Sequence, residues 1–534
     1  MANRHLFAST RGLAPATARN AAGGSAYALT PPQALAQIAL TGTLRPTFYA
    51  GAELQLAQLL EAAAACSPTY VAQTAIYARK HGHMKDVPAV LLGWLATADG
   101  ALFERAFAQV VDNGRMLRNL VQVLRSGALG RRSLGTRPKR CVQQWLNAAT
   151  DAQLVQAMVG QSPSLADVIK MVHPKAPTAA RAALYGWLIG KPADVAQLPA
   201  AVQDLLRFRA DPSAPVPDVP FQLLTAQPLS EAHWSRIAER ASWQTLRMNL
   251  NTFGRHGVYA DPARVKRLAT RLADPKAIAK ARVLPYQLLA AHHAATDLPE
   301  ALKQALAAAM DQACANVPVL AGDVVVAVDV SGSMSSPVTG WQKGATSAVR
   351  CIDVAALIAA CLLKVNPATR VIAFNDSAWE WTPGRGALDK ALSGIWRRRK
   401  PVAKVAGVLE TASALAGLLG GGTSVSAPFS LLDRQSQAPD VLVLVSDNMS
   451  WVDSGPAHAP TETWRLWQRL KQRNRNARLV CIDLQPNTTA QVPERADVLT
   501  IGGFTDEVYA RIADFVAGGD GVAARVRQIE AVPI

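Results

Sequence analysis

The hydrophobic period of this 534-residue chain changes once, near Pro318, and no single architecture accommodates both parts. From about residue 31 to residue 317, short amphipathic segments succeed one another, punctuated by Gly, Pro, Asp and Ser. After Gly114, Met116, Leu117, Leu120, Val121 and Leu124 share one helical face, with Arg118, Asn119, Gln122 and Arg125 opposite. Further helices are predicted over 53–65, 69–81, 101–111, 140–149, 165–173, 178–189, 231–254, 262–273 and 299–315. Paired helices without intervening strands predict an α-solenoid of the HEAT kind, with an irregular helical bundle as the alternative. The proline-rich stretch 210–220 reads as a connection within this region.

Beyond Pro318 short apolar, β-rich runs at 323–330 (DVVVAVDV), 370–374, 441–446, 479–484 and 498–501 alternate with helical stretches at 352–364, 403–419 and 462–473. That order predicts a doubly wound, Rossmann-like α/β domain whose parallel sheet is covered on both faces. The domains are therefore expected at 1–318 and 319–534. Residues 354–363 are apolar for only about ten positions, half of what a bilayer span needs, and read as buried core. Six scattered cysteines without a Cys-x-x-Cys pair argue against a disulfide framework or zinc ribbon, and a reducing cytoplasm is the simplest compartment. The first twenty residues carry arginines and no acid, and are expected to form a mobile basic arm.

Charge divides along the same line. Residues 1–318 hold 34 Lys/Arg against 19 Asp/Glu, whereas residues 319–534 hold 22 against 20. A basic first part attracts polyanions; a near-neutral second part adds little to that field. The densest cluster is Arg131, Arg132, Arg137, Lys139 and Arg140. A second run, RRRK at 397–400, reads as a solvated loop.

At the end of the first predicted strand stands Asp329-Val330-Ser331-Gly332-Ser333, which sets a carboxylate and two hydroxyls at alternate positions of a tight loop. Such a set converges on one hard cation. Alone it would equally be a turn with local Ser and Asp hydrogen bonds. Gly421-Gly422-Thr423 and Ser446-Asp447-Asn448 follow in order, the second at another strand's C-terminal end, where doubly wound sheets place their sites. Enzyme motifs are missing: 417–424 lacks the Walker A lysine, no HExxH occurs, and no GxSxG surrounds Ser333. His81 and His83 read as polar surface residues rather than a metal pair.

The three segments together resemble the metal-ion-dependent adhesion site of von Willebrand factor A domains. The resemblance implies that Ser331, Ser333 and Thr423 offer hydroxyls while Asp329 and Asp447 hold a divalent cation directly or through water. Mg²⁺ is expected, with Mn²⁺ or Ca²⁺ as alternatives, and one position is left for an acidic ligand. The third motif is commonly Thr-Asp-Gly; here Asn448 stands in the glycine position. Helical repeats before such a domain resemble the Ro ribonucleoprotein family, whose repeat part is the TROVE module, and residues 77–88, 168–175 and 247–253 look like bacterial members. The resemblance implies a HEAT-like repeat ring, single-stranded RNA ends in its hole, and small structured Y RNA on its outer surface. It further implies a non-enzymatic, monomeric role in RNA quality control beside a 3′-to-5′ exoribonuclease, away from membranes. His173 matches the histidine of the family's Y RNA surface, and Lys170 and Lys175 stand in for its basic neighbours. The competing reading is a protein-interaction scaffold whose A domain grips a partner's carboxylate through the metal.

Overall fold

The computed structural model describes the chain except residues 1–12, 282, 284, 295–296, 315–316, 342–348, 384–406, 453–454, 456–458, 505–506 and 522. The run at 397–400 therefore lies outside the described residues. Two compact units form: residues up to Ala65 with Ala269–Ile529, and Cys66–Leu268 with Glu530–Ile534. The change from helices to sheet falls where the period changes, but compactness divides the chain differently from 1–318 and 319–534. Periodicity reports local structure and cannot say in which core a helix buries its apolar face.

In the first unit, strands β1 (Ala18–Arg19), β2 (Ser25–Ala28), β3 (Val324–Asp329), β4 (Arg370–Phe374), β5 (Ala378–Trp381), β6 (Val441–Ser446), β7 (Arg478–Asp483), β8 (Thr489–Ala490) and β9 (Val498–Gly502) make two sheets. The larger runs β5-β4-β3-β6-β7-β9, parallel throughout except for β5, which pairs antiparallel with β4. Every residue of β3 and β6 is buried, as expected for strands covered on both faces. The helix Cys351–Val365 covers one face and is buried from Cys351 to Leu363. Trp467 and Phe429, both fully buried, meet edge to face on the other. The chain leaves β3 for β4 on one side and later returns to β6 on the other, so the switch point lies at the C-terminal end of β3.

One expectation is corrected here, and one cysteine pair is found that the sequence did not show. The segment read as a mobile arm is ordered from Leu13 onward: β1 pairs with β2, which pairs with β8, and Asn20 donates to the Ser450 carbonyl at 2.7 Å. Cys314 and Cys361, 47 residues apart, form a disulfide pair with Cα atoms 5.7 Å apart. No local spacing could show that pair, because it joins two helices through the tertiary fold.

In the second unit consecutive helices pack from Pro68–Lys80 to Leu250–Arg255. The helix Gly114–Arg125 buries Met116, Leu117, Leu120, Val121 and Leu124, as its period requires. Asn113 caps it by accepting from the Met116 N–H at 3.0 Å. Residues 231–254, expected as one helix, are three: Glu231–Arg240, Trp243–Met248 and Leu250–Arg255. The break has a local cause, since Ser242 caps a new helix by accepting from the Thr245 N–H at 3.2 Å. Gln73 and Gln109 donate to the carbonyls of Val532 and Pro533 at 3.1 and 2.9 Å, fastening the last residues to this unit. Among the described residues no helix is long and apolar enough to cross a membrane.

Leu120→Ala, which empties a fully buried position, is expected to destabilise the helical unit by about 2–5 kcal/mol. Gln122→Ala on the exposed face should stay within about 0.5 kcal/mol. Denaturant midpoints of the two variants check the contrast.

Candidate metal centre and basic helical face

Parallel pairing of β3 with β6, register Val328 to Val445, carries Asp329 and Ser446-Asp447 to neighbouring strand ends. The glycine loop is laid against them. Gly420 donates to the Val330 carbonyl at 2.7 Å and Gly332 donates to the Gly421 carbonyl at 3.0 Å. Gly421 has φ +87°, and a Cβ there would stand 2.6 Å from the Asn375 amide nitrogen, so the loop needs glycine at that point. All five predicted ligands are buried at this end of the sheet: Asp329, Ser331, Ser333, Thr423 and Asp447. Ser331 and Ser333 hydroxyls are 3.2 Å apart, and Asp329 accepts from the Ser331 N–H at 2.9 Å and the Ser446 hydroxyl at 2.6 Å. Asn448, in the position where the adhesion-site pattern has glycine, adopts the left-handed conformation at φ +66°. Its amide donates to the Thr489 carbonyl at 2.6 Å, so asparagine keeps the loop geometry that glycine would give.

The carboxylates are strained electrostatically. Burial raises Asp329 from its ordinary value, while the Ser331 and Ser446 hydroxyls pull the other way. Asp447 is pushed up to about 7, first by burial and then by the charge of Asp329. Its Oδ2 is buried with no hydrogen-bond partner. An acceptor-only oxygen left unpaired in the interior is costly, and a cation would satisfy it. Two carboxylates with three hydroxyls form a hard-oxygen set suited to Mg²⁺ or Mn²⁺ rather than to zinc or copper. Among the described residues no group of three His, Cys, Asp or Glu side chains is arranged for a metal, so the hydroxyls would be essential.

Two further groups escaped the sequence reading. Asp483, at the end of β7, is buried and pushed up to about 8 by burial and by Asp447, while the Asn487 side chain lowers it. Gln37 and Asn448 donate to its Oδ2, each at 3.4 Å. The signal was present, because Asp483 ends an apolar strand just as Asp329 does. Tyr49 comes from a segment distant in sequence, and nothing local marks it. Burial and then the Asp447 charge push its phenol up to about 12, against a hydrogen bond with Ser333.

The basic candidates fall on the helical unit, where residues 66–268 hold 25 Lys/Arg against 13 Asp/Glu. The helix Thr136–Ala148 collects them. Arg137 and Arg140 lie on its exposed side, both pairing with Glu104. One turn on, Gln143 donates to the Val172 carbonyl at 2.5 Å, and Asn147 donates to the Lys175 carbonyl at 2.9 Å. These bonds hold the 172–175 segment against the helix, so exposed Lys170, His173 and Lys175 lie beside the Arg cluster. His173 ends the helix Leu165–Val172 at φ +50°. Arg131 turns back on its own loop, donating to the Ser133 carbonyl at 3.0 Å and to that of Leu134, which gives it a structural role. Arg132 is exposed, and Lys139 is partly so.

Residues 323–516 match the family model of the Ro60 vWA domain. The fold along 92% of the chain is similar to the crystal structure of the Ro (RSR) protein of Deinococcus radiodurans, with a TM-score of 0.57 and 21% identity over all of that chain. No curated protein matches the sequence.

Two measurements probe the centre. Calorimetric titration with Mg²⁺ or Mn²⁺ should show one site in the wild type and none in Asp329→Ala, which loses both a ligand and the charge that compensates dehydration of the ion. The second is stability against pH with chelator present. A raised folded-state value means that the unfolded chain releases its proton first, so stability is lost as pH rises from about 4 to about 8. Asp483→Asn should flatten that slope in denaturant titrations, and added Mg²⁺ should restore stability at the alkaline end.

Proposed function

We propose that this chain, whose residues 323–516 match the Ro60 vWA domain model, is a non-enzymatic RNA-binding protein of the Ro type. Small structured Y RNA binds the outer surface of its helical repeats, and single-stranded ends of misfolded RNA enter a central hole. It works as a cytoplasmic monomer in RNA quality control, beside a 3′-to-5′ exoribonuclease. The observation that carries this reading is that Arg137, Lys139 and Arg140 stand on the helix Thr136–Ala148, against which Gln143 and Asn147 hold the segment of His173 and Lys175; Arg132 and Lys170 extend the set. Phosphate contacts by such groups supply sequence-independent affinity that weakens with salt. The Glu104 pairs with Arg137 and Arg140 are exposed and cost little to exchange for phosphate.

A second reading is supported by the orphaned Asp447 Oδ2. In it the A domain binds a divalent cation through Asp329, Ser331, Ser333, Thr423 and Asp447, and the cation grips an acidic residue of a protein partner. The two readings are compatible, because the basic face and the acidic centre lie on separate units.

Reversing Arg132, Lys139 and Arg140 to Glu is expected to weaken binding of a small structured RNA. Each lost phosphate contact should lower the log–log salt slope by roughly 0.7–0.9. His173→Ser should weaken the structured RNA more than a single-stranded tail. Gel shifts across a salt series decide both, and an unchanged slope would remove this face from the RNA surface.

A further inference from the structure

Eight large hydrophobic side chains are exposed among the described residues, and four of them surround one site. Trp451 and Val452, 48% and 45% exposed, follow the Asp447 loop. Their N–H groups both donate to the Thr423 carbonyl at 3.2 Å. A Cβ on Gly422 would touch both side chains, at 3.1 and 3.2 Å, so they stand directly over the glycine loop. Phe48 and Trp341 are 58% and 55% exposed. The Phe48 N–H donates to the Ser336 hydroxyl at 3.0 Å and the Trp341 N–H donates to the Pro46 carbonyl at 2.8 Å. The first bond ties Phe48 to the residue after the turn Gly332–Ser335, which carries Ser333, and the second ties Trp341 to the segment that leads into Phe48. Tyr49 packs edge to face on Phe48, with ring centroids 4.9 Å apart.

Large exposed apolar groups clustered at one place mark an interaction surface, whereas single ones are ordinary. Trp341 and Trp451 are the only exposed tryptophans among the described residues, and tryptophan is the commonest anchor of protein interfaces. The loops that form the rim, residues 46–50, 332–341, 420–424 and 447–452, contain no Lys or Arg. Arg45, which packs at Gly340, is the nearest basic residue in sequence, whereas a phosphate-binding face gathers several.

We infer that Phe48, Trp341, Trp451 and Val452 form the rim of a docking surface for a protein segment bearing one carboxylate flanked by large apolar side chains. This rests on the reading that the five-residue centre holds a divalent cation. Five protein oxygens would leave one position of an octahedral cation for a further hard anionic oxygen, and the rim would bury the neighbours of the residue that supplies it. The charge requirement and the apolar requirement are thus met by the same short segment. Water excluded by the rim strengthens the contact between cation and carboxylate.

The test uses the full-length protein with Mn²⁺ and a fluorescein-labelled pentapeptide holding one glutamate between leucine and phenylalanine residues. Mn²⁺ affinity is measured separately by calorimetry on each variant. Binding by anisotropy is expected with Mn²⁺ and lost with EDTA. Trp341→Ser and Trp451→Ser should each weaken it by about fivefold or more, as interface anchors do, with Mn²⁺ affinity unchanged. Replacing the peptide's glutamate by glutamine, or its apolar residues by serine, should weaken it likewise. Rim variants that bind Mn²⁺ and peptide like the wild type would overturn the docking surface while leaving the metal centre standing. Tighter binding of oligouridylate, lost in the same variants, would overturn it in favour of base stacking. A wild type that takes up no Mn²⁺ would remove the metal reading itself, and the docking surface with it.

Discussion

The pairing of β3 with β6 is the constraint from which the first unit's chemistry follows. Two parallel strands, each wholly apolar until its last residue, must be covered on both faces, so polar groups gather at the strand ends, the C-terminal one among them. In register, that edge puts the Asp329 carboxylate beside Ser446 and Asp447. The glycine loop then closes over them, since only glycine tolerates the backbone of Gly421. Burial concentrates unlike needs at this spot: hydroxyls that can donate, carboxylates that repel, and one oxygen, Asp447 Oδ2, with nothing to accept from. Such a cluster is tense without a cation and ordered with one.

Charge is distributed to the opposite purpose in the helical unit. There Arg137 and Arg140 are exposed, and both pair with one half-buried acid, Glu104, on a neighbouring helix. Solvent screens those pairs, so they can be exchanged for phosphates at small cost. The amides of Gln143 and Asn147 hold the His173 segment against the helix that carries Arg137 and Arg140. Two charge systems, one buried and acidic, one exposed and basic, thus coexist in a chain whose overall excess of +17 hints only at the second.

Much of the A domain was legible because its signals are local. The strands expected at 370–374 and 441–446 coincide with β4 and β6, and the five ligand candidates sit where the motif order predicted. Asn448 shows how a departure from a motif can preserve its geometry, since asparagine reaches the left-handed region almost as glycine does. The helical part was legible where one apolar face is clear, as Met116 to Leu124 illustrate; it missed helices such as Asp86–Ala98 and Ala200–Ala210, and joined 231–254 where a cap at Ser242 divides what the period joins.

The sequence by itself determined the two architectures, the separation of charge, and the residue types available to a hard cation, because periodicity, composition and short motifs are written in neighbouring residues. Only the tertiary structure decided that residues 13–65 belong to the sheet unit, that Cys314 meets Cys361, and that Arg131 serves its own loop. It also decided that Asp483 and Tyr49 join the acidic centre and that four exposed hydrophobic side chains ring it. Each of these is a meeting of segments or a folding back of a side chain, set by the packing of whole elements, and no pattern of adjacent residues encodes it.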